Sequence, residues 1–134
     1  VTDNLTRLIW LKNANAFGSR TWEQALADAN ALASGSYGLT DGSKAGDWRL
    51  PNVKELQSLI DFAYYGPALS SASGTSQWTS GDAFSGVQSS YYWSSTTYSS
   101  STTRAWDVGL DNGDVDDGDG KANTNYVWPV RAGK

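Results

Sequence analysis

Between Tyr91 and Arg131 large aromatics recur at strand-like intervals, and they are set in tracts of Ser, Thr, Asp, Gly and Asn. Tyr92, Trp93, Trp106, Tyr126 and Trp128 are the bulky members. Bulky residues so spaced make a rigid, half-buried sheet, and small polar residues between them make an adaptable surface. Binding surfaces are commonly built this way and reaction centres are not. The first expectation is therefore recognition rather than catalysis.

Three strands are expected here, over 91–96, 105–110 and 125–131. In the second, Trp106, Val108 and Leu110 alternate with Asp107, Gly109 and Asp111, the period of two expected of a half-buried strand. Asn112-Gly113 is a hairpin turn signal, leading to a short return strand near 114–116. In the third, Tyr126, Trp128 and Val130 alternate with Val127, Pro129 and Arg131, and Pro129 implies an edge position or a bulge.

The first half reads differently. Leu5 to Leu11 is an apolar run suited to a buried strand, and 13–20 a turn. Thr21 is a good N-cap for an amphipathic helix over 22–33, with Trp22, Ala25, Leu26, Ala29 and Leu32 on one stripe and Gly35 near its end. A loop over 35–47 precedes Trp48-Arg49-Leu50, an extended piece kept out of helix by Pro51. Asn52 caps a second helix with Val53, Leu56, Leu59, Ile60 and Ala63 as its apolar stripe, stopped by Gly66-Pro67. Arg49 and Glu55 are expected to brace it. Residues 70–90 read as an irregular loop anchored by Trp78 and Phe84. The expectation is one α+β domain over 1–134. Its first part, 1–90, is a scaffold with two helices packed on a small, mostly antiparallel sheet, and 91–134 is a strand meander carrying the binding face.

With no Cys and no His among 134 residues, thiol and Ser–His–Asp catalysis, disulfides and Cys/His zinc sites are excluded. The formal net charge of −4, with ten scattered basic residues, argues against a nucleic-acid partner. No window approaches the roughly 20 apolar residues of a membrane span, so no membrane insertion is expected. The opening Val1-Thr2-Asp3-Asn4 reads like mid-chain sequence, as in an excised domain or a processed form.

Four runs, in order, carry a family resemblance: Leu8-Ile9-Trp10-Leu11-Lys12, Gly46-Asp47-Trp48-Arg49-Leu50-Pro51-Asn52-Val53-Lys54-Glu55-Leu56, Tyr92-Trp93-Ser94-Ser95-Thr96 and Tyr126-Val127-Trp128-Pro129-Val130-Arg131. Together they span essentially the whole chain, which resembles the Lcl C-terminal domain family, named for the domain ending a Legionella collagen-like adhesin. The resemblance implies a C-type-lectin-like fold of the formylglycine-generating-enzyme-like branch, with paired terminal strands. The family often carries Cys near the positions of Ala16 and Tyr37, so a tie between the first turn and the loop after the first helix is missing here. Formylglycine-generating enzymes use Cys in catalysis, and that activity does not transfer. The Ca²⁺-dependent sugar motifs of animal C-type lectins are absent too.

A narrower resemblance is to the variable proteins of diversity-generating retroelements, where Asn codons are rewritten to codons ending in a pyrimidine. Such codons cannot encode Glu, Gln, Lys, Met or Trp. Between Ser89 and Tyr126 there are six Asp and no Glu, Gln or Met, and only Trp93, Trp106 and Lys121 fall outside the permitted set. The Trp residues suit fixed scaffold positions, and Lys121 must be fixed in the template if the idea holds. The plainer explanation is that Asp outnumbers Glu twelve to two throughout the chain.

The candidate binding set is Tyr98, Arg104, Asp107, Asp111, Asp114, Asp116, Asp117 and Asn123, expected to share one sheet face and its adjoining loops. Tyr and Arg are common hot-spot anchors, and the small polar residues adapt. The acidic stretch 111–120 offers hard oxygens suited to Ca²⁺, but it fails the EF-hand register, and a solvated hairpin and loop explains it as well. No metal and no cofactor are therefore expected, with Ca²⁺ the one candidate. Trp10, Trp22, Trp48, Trp93, Trp106 and Trp128 are expected in the core, with Trp78 open. A carboxylate pair among Glu23, Glu55 and Asp61 would need both helices to aim across one cleft. The function expected is that of a non-catalytic domain, secreted or displayed on a cell or virion surface, binding a protein or glycan ligand. A glycan-binding adhesin module and a structural subunit of an extracellular assembly are the alternatives, and an oligomer is compatible with either.

Overall fold

In the computed structural model, which describes residues 1–133, the chain runs β1 (Leu8–Trp10), β2 (Ser19–Arg20), α1 (Trp22–Ala31), α2 (Val53–Gln57), β3 (Tyr91–Thr97), β4 (Arg104–Gly109), β5 (Val115–Gly120), β6 (Asn125–Tyr126) and β7 (Val130–Ala132). The architecture is α+β, as expected. β1 pairs antiparallel with β7, joining the two ends of the chain, and the main sheet has the order β2-β6-β3-β4-β5. Within it β3 pairs parallel with β6. Among the described residues, no helix is long and apolar enough to cross a membrane.

Both helices begin where a side chain satisfies the orphan amides of the first turn. Thr21 accepts from Gln24 N–H and Gln24 returns a bond to Thr21 N–H, while Asn52 and Glu55 form the same reciprocal pair on α2. Arg49 then clamps Glu55 through two bonds of 2.7 Å, the expected brace.

The second helix is much shorter than its apolar stripe implies. It ends at Gln57. Ser58 Oγ donates back to Glu55 C=O, and Asp61 accepts from Ala63 N–H in a tight turn that competes with helix. The following backbone is taken by the meander: Gly66 and Ala68 N–H groups donate to Asp111 and Leu110 carbonyls, each at 2.7 Å. Ala63 is accordingly exposed rather than packed.

Other boundaries shift for equally local reasons. Leu5 is 91% exposed, because Arg7 turns the chain at a left-handed φ of 65° and β1 starts only at Leu8. Part of the expected turn over 13–20 is the strand β2, which pairs with β6. The return strand after the hairpin runs to Gly120, so 116–120 is ladder rather than loop. The strand expected over 125–131 is two strands. Pro129, which has no amide to donate, lies in the break, and there the chain leaves the five-stranded sheet for β1.

That break fills the core. Val127 and Trp128 are at most 1% exposed, and the Trp128 ring lies 4.9 Å from Phe84, 5.5 Å from Tyr92 and 5.7 Å from Trp10. Such aromatic pairs contribute about 0.5–1.5 kcal/mol each beyond their burial. Their polar atoms are mostly satisfied: Trp128 Nε1 donates to Leu11 C=O, Trp93 Nε1 to Arg20 C=O and Trp48 Nε1 to Ser43 Oγ. Tyr92 OH reaches Ala14 C=O at 2.9 Å, and burial pushes its phenol far above the ordinary range. Trp10, Trp48, Trp93 and Trp128 are core residues as expected. Trp22 is only partly buried, and Trp106 stands outside the core cluster, half-exposed against Tyr98. Trp78 and Phe84 anchor the irregular segment, with Trp78 Nε1 donating to Phe84 C=O.

The first turn and the loop after α1 are joined without a covalent tie. The Phe17 and Tyr37 rings sit 4.7 Å apart, close to the positions where the family often carries Cys.

Candidate functional site

The hairpin β4–β5 carries most of the candidate residues, and its register divides them. Arg104 pairs with Gly120 at one end, Asp107 with Asp116 in the middle, and Gly109 N–H donates to Asp114 C=O near the turn. The eight residues therefore do not form one continuous face. They fall into an arginine end, a buried centre and an acidic tip.

At the arginine end, Tyr98 N–H donates to Arg104 C=O, and the Tyr98 ring stands edge-on to Trp106 at 5.5 Å. The Arg104 guanidinium lies 5.9 Å from the Tyr98 ring centroid and donates through Nε to Gly118 C=O. Its contact with Asp117, at 3.5 Å between half-exposed side chains, contributes little. Gly118 makes this geometry possible. Its φ is +115°, and a Cβ there would stand 2.5 Å from Ala105 C=O, so the ladder register shifts beside it.

At the centre the expectation fails for Asp107. Its alternation is right, since Asp107 pairs with Trp93 while Val108 pairs with Tyr92. The face it points to is covered, however, and Asp107 is only 2% exposed. Asn125 Nδ2 bridges Asp107 Oδ2 at 3.3 Å and Asp119 Oδ2 at 3.4 Å, and Asn123 holds the other Asp119 oxygen. Among the described residues, Asp107 Oδ1 has no partner. Burial, then the like charges of Asp116 and Asp119, push its carboxyl up to about 7. A carboxyl so enclosed is a strained structural group, not a surface contact. Asn123 is exposed but engaged with Asp119.

At the tip, Asp114 N–H donates to Asn112 Oδ1 and Asn112 Nδ2 to Asp114 Oδ2, closing the turn. Asp114 and Asp116 are exposed, and Asp111 is half-exposed with its Oδ1 buried and unpartnered. Burial first, then the charges of Asp111, Asp116, Asp114 and Asp107, raise the Tyr91 phenol above its ordinary value.

Sequence reasoning missed what stands beside this tip. Phe62 and Tyr65, placed in or at the end of the expected helix, are 70% and 75% exposed. The Asp61 turn and the Gly66-Pro67 stop were the signals that this stretch leaves the helix.

The proposed carboxylate pair does not assemble around a free acid. Arg49 holds the Glu55 carboxyl below its usual range, and both of its oxygens are occupied. Glu23 lines a cleft of about 550 Å³ with Leu26, Asn30 and Arg49, while Asp61 is committed to its turn. Among the described residues, no group of three or more acidic, His or Cys side chains is arranged to hold a metal ion.

Residues 1–131 match the family model described as the Lcl C-terminal domain, and the chain belongs to that family. No curated protein matches it.

Proposed function

Starting from that membership, we propose that this chain is a non-catalytic, C-type-lectin-like ligand-binding domain, the variable protein of a diversity-generating retroelement, displayed at a cell or particle surface. One observation carries the reading. Within 89–126 two of the three residues that the rewriting chemistry cannot produce have fixed structural contacts: Trp93 is fully buried and Lys121 is held between Trp22 and Thr97, while Trp106 packs half-exposed on Tyr98. The exposed or half-exposed positions in the same span, among them Tyr98, Asp111, Asp114, Asp116, Asp117 and Asn123, carry residues it can produce. A rewritten surface on a constant scaffold would call for such a division. The net charge of −4 weighs against a polyanionic glycan as the ligand.

A surface-display library tests this. Randomising Tyr98, Arg104, Asp111, Asp114, Asp116, Asp117 and Asn123 should leave most clones folded and yield selectable binders. The same randomisation applied to Tyr92, Trp93 and Lys121 should leave few folded. Equal loss of folding in both libraries would overturn the reading.

A further inference from the structure

The acidic hairpin tip and the aromatic loop beside it form a single surface, although they lie about fifty residues apart in the chain. Gly66 N–H donates to Asp111 C=O, which places Tyr65 next to the tip. Phe62 lies against the turn itself: a Cβ on Gly113 would stand 2.8 Å from Phe62 Cε1 and 2.6 Å from Ile60 Cγ2. The loop is fastened in place, because Gln77 Nε2 donates to the Tyr65 and Pro67 carbonyls at 2.6 and 2.9 Å. A surface held this way loses little entropy when a partner binds.

We propose that this surface, Phe62 and Tyr65 with Tyr91, Asp111, Asp114 and Asp116, docks a Lys- or Arg-bearing segment of a protein partner. The inference deepens the ligand-binding reading and rests on it. Charge complementarity argues for that occupant. No Lys or Arg occurs between Lys54 and Arg104, nor between Arg104 and Lys121, so neither segment brings a cation of its own. Among the described residues, none of Asp61, Asp111, Asp114 and Asp116 is in an ion pair. Asp111 Oδ1, beside the Tyr91 ring, has no hydrogen-bond partner among the described residues, and the exposed carboxylates of Asp114 and Asp116 stand next to it in the tip. The Tyr91 phenol feels four carboxylates, and no cation is among the groups that shift it. Two exposed aromatic rings share this surface with the carboxylates, and that combination favours a cation over an anion or a neutral chain.

The test is a titration of the whole domain with a fluorescent peptide of alternating Arg and Gly, against Gln–Gly and Glu–Gly peptides and a neutral cello-oligosaccharide. The Arg peptide should bind best, and its binding should weaken at high salt. The double variant D111N/D114N should weaken it by about tenfold, and Tyr65→Ser, at a side chain that is mostly solvated, should do so by about threefold. Glu23→Gln, an exposed carboxylate on α1 outside this surface, should leave it unchanged. Equal binding of the Arg and Gln peptides, indifference to D111N/D114N, or preference for the sugar would each overturn the proposal. Those failures are distinct from failure of the variable-protein reading, which the folding of the two libraries decides whether or not any peptide binds.

Discussion

Lys121 Nζ lies 3.9 Å from the centre of the Trp22 ring and 3.0 Å from Thr97 Oγ1. The two residues are also joined through backbone, since Trp22 N–H donates to Lys121 C=O at 3.1 Å. One side chain thus links the start of α1, the end of β3 and the segment after β5. That gives a structural role to the lone Lys between Ser89 and Tyr126. Lys121→Met removes the cation and the hydrogen bond while keeping the stem. It should cost about 1–2 kcal/mol in urea unfolding, with ligand-facing residues untouched.

Asp107 should make stability depend on pH in the direction opposite to most carboxylates. Its folded value, about 7, lies above that of an unfolded Asp. The folded state therefore holds the proton more tightly, and the stabilising effect is complete below the unfolded value. It is lost as pH rises through about 7. Asp107→Asn should flatten the stability profile between about pH 4 and pH 7 and raise the melting temperature above neutrality by several degrees, the equivalent of about 2 kcal/mol. Thermal melts across pH check this.

Glu55 titrates with the opposite sign. The Arg49 bond holds its folded value down, so its contribution is present above the unfolded value and fades as pH falls through the folded one. Glu55→Gln keeps a capping acceptor but loses the doubly bonded ion pair. It should cost about 1 kcal/mol at neutral pH and show little difference from the parent in acid.

Gly118 should be irreplaceable in a way that its acidic neighbours are not. Gly118→Ala combines a φ of +115° with a Cβ 2.5 Å from Ala105 C=O. It should cost more than about 2 kcal/mol. Asp117→Ala, next door and exposed, should change stability by under about 0.5 kcal/mol. Chemical denaturation of the two variants side by side measures the contrast.

Local signals were legible. Thr21 and Asn52 announce their helices through capping chemistry, and Asn112-Gly113 announces its hairpin. What was not legible depends on distant partners. The stripe from Val53 to Ala63 has helical spacing, but the backbone at 66–68 bonds to the hairpin tip, and propensity yields to that pairing. Asp107 alternates correctly with Val108, yet only Asn125 and Asp119, far along the chain, reveal that its face is covered. Trp106 looks like a core residue by its period, and the register shift between Ala105 and Asp107 accompanies its place against Tyr98. The same dependence hid the Phe62–Tyr65 surface, which exists only once the loop is laid on the tip.

On the variable-protein proposal, exposed positions of the meander differ between copies while their support does not. Sequencing the DNA beside this gene tests it most directly. The account predicts a near-repeat of the segment encoding 89–126 whose differences fall at template adenines and map to Tyr98, Arg104, Asp111, Asp114, Asp116, Asp117 or Asn123. A repeat that differs at Trp93, Trp106 or Lys121, or no repeat at all, would contradict it.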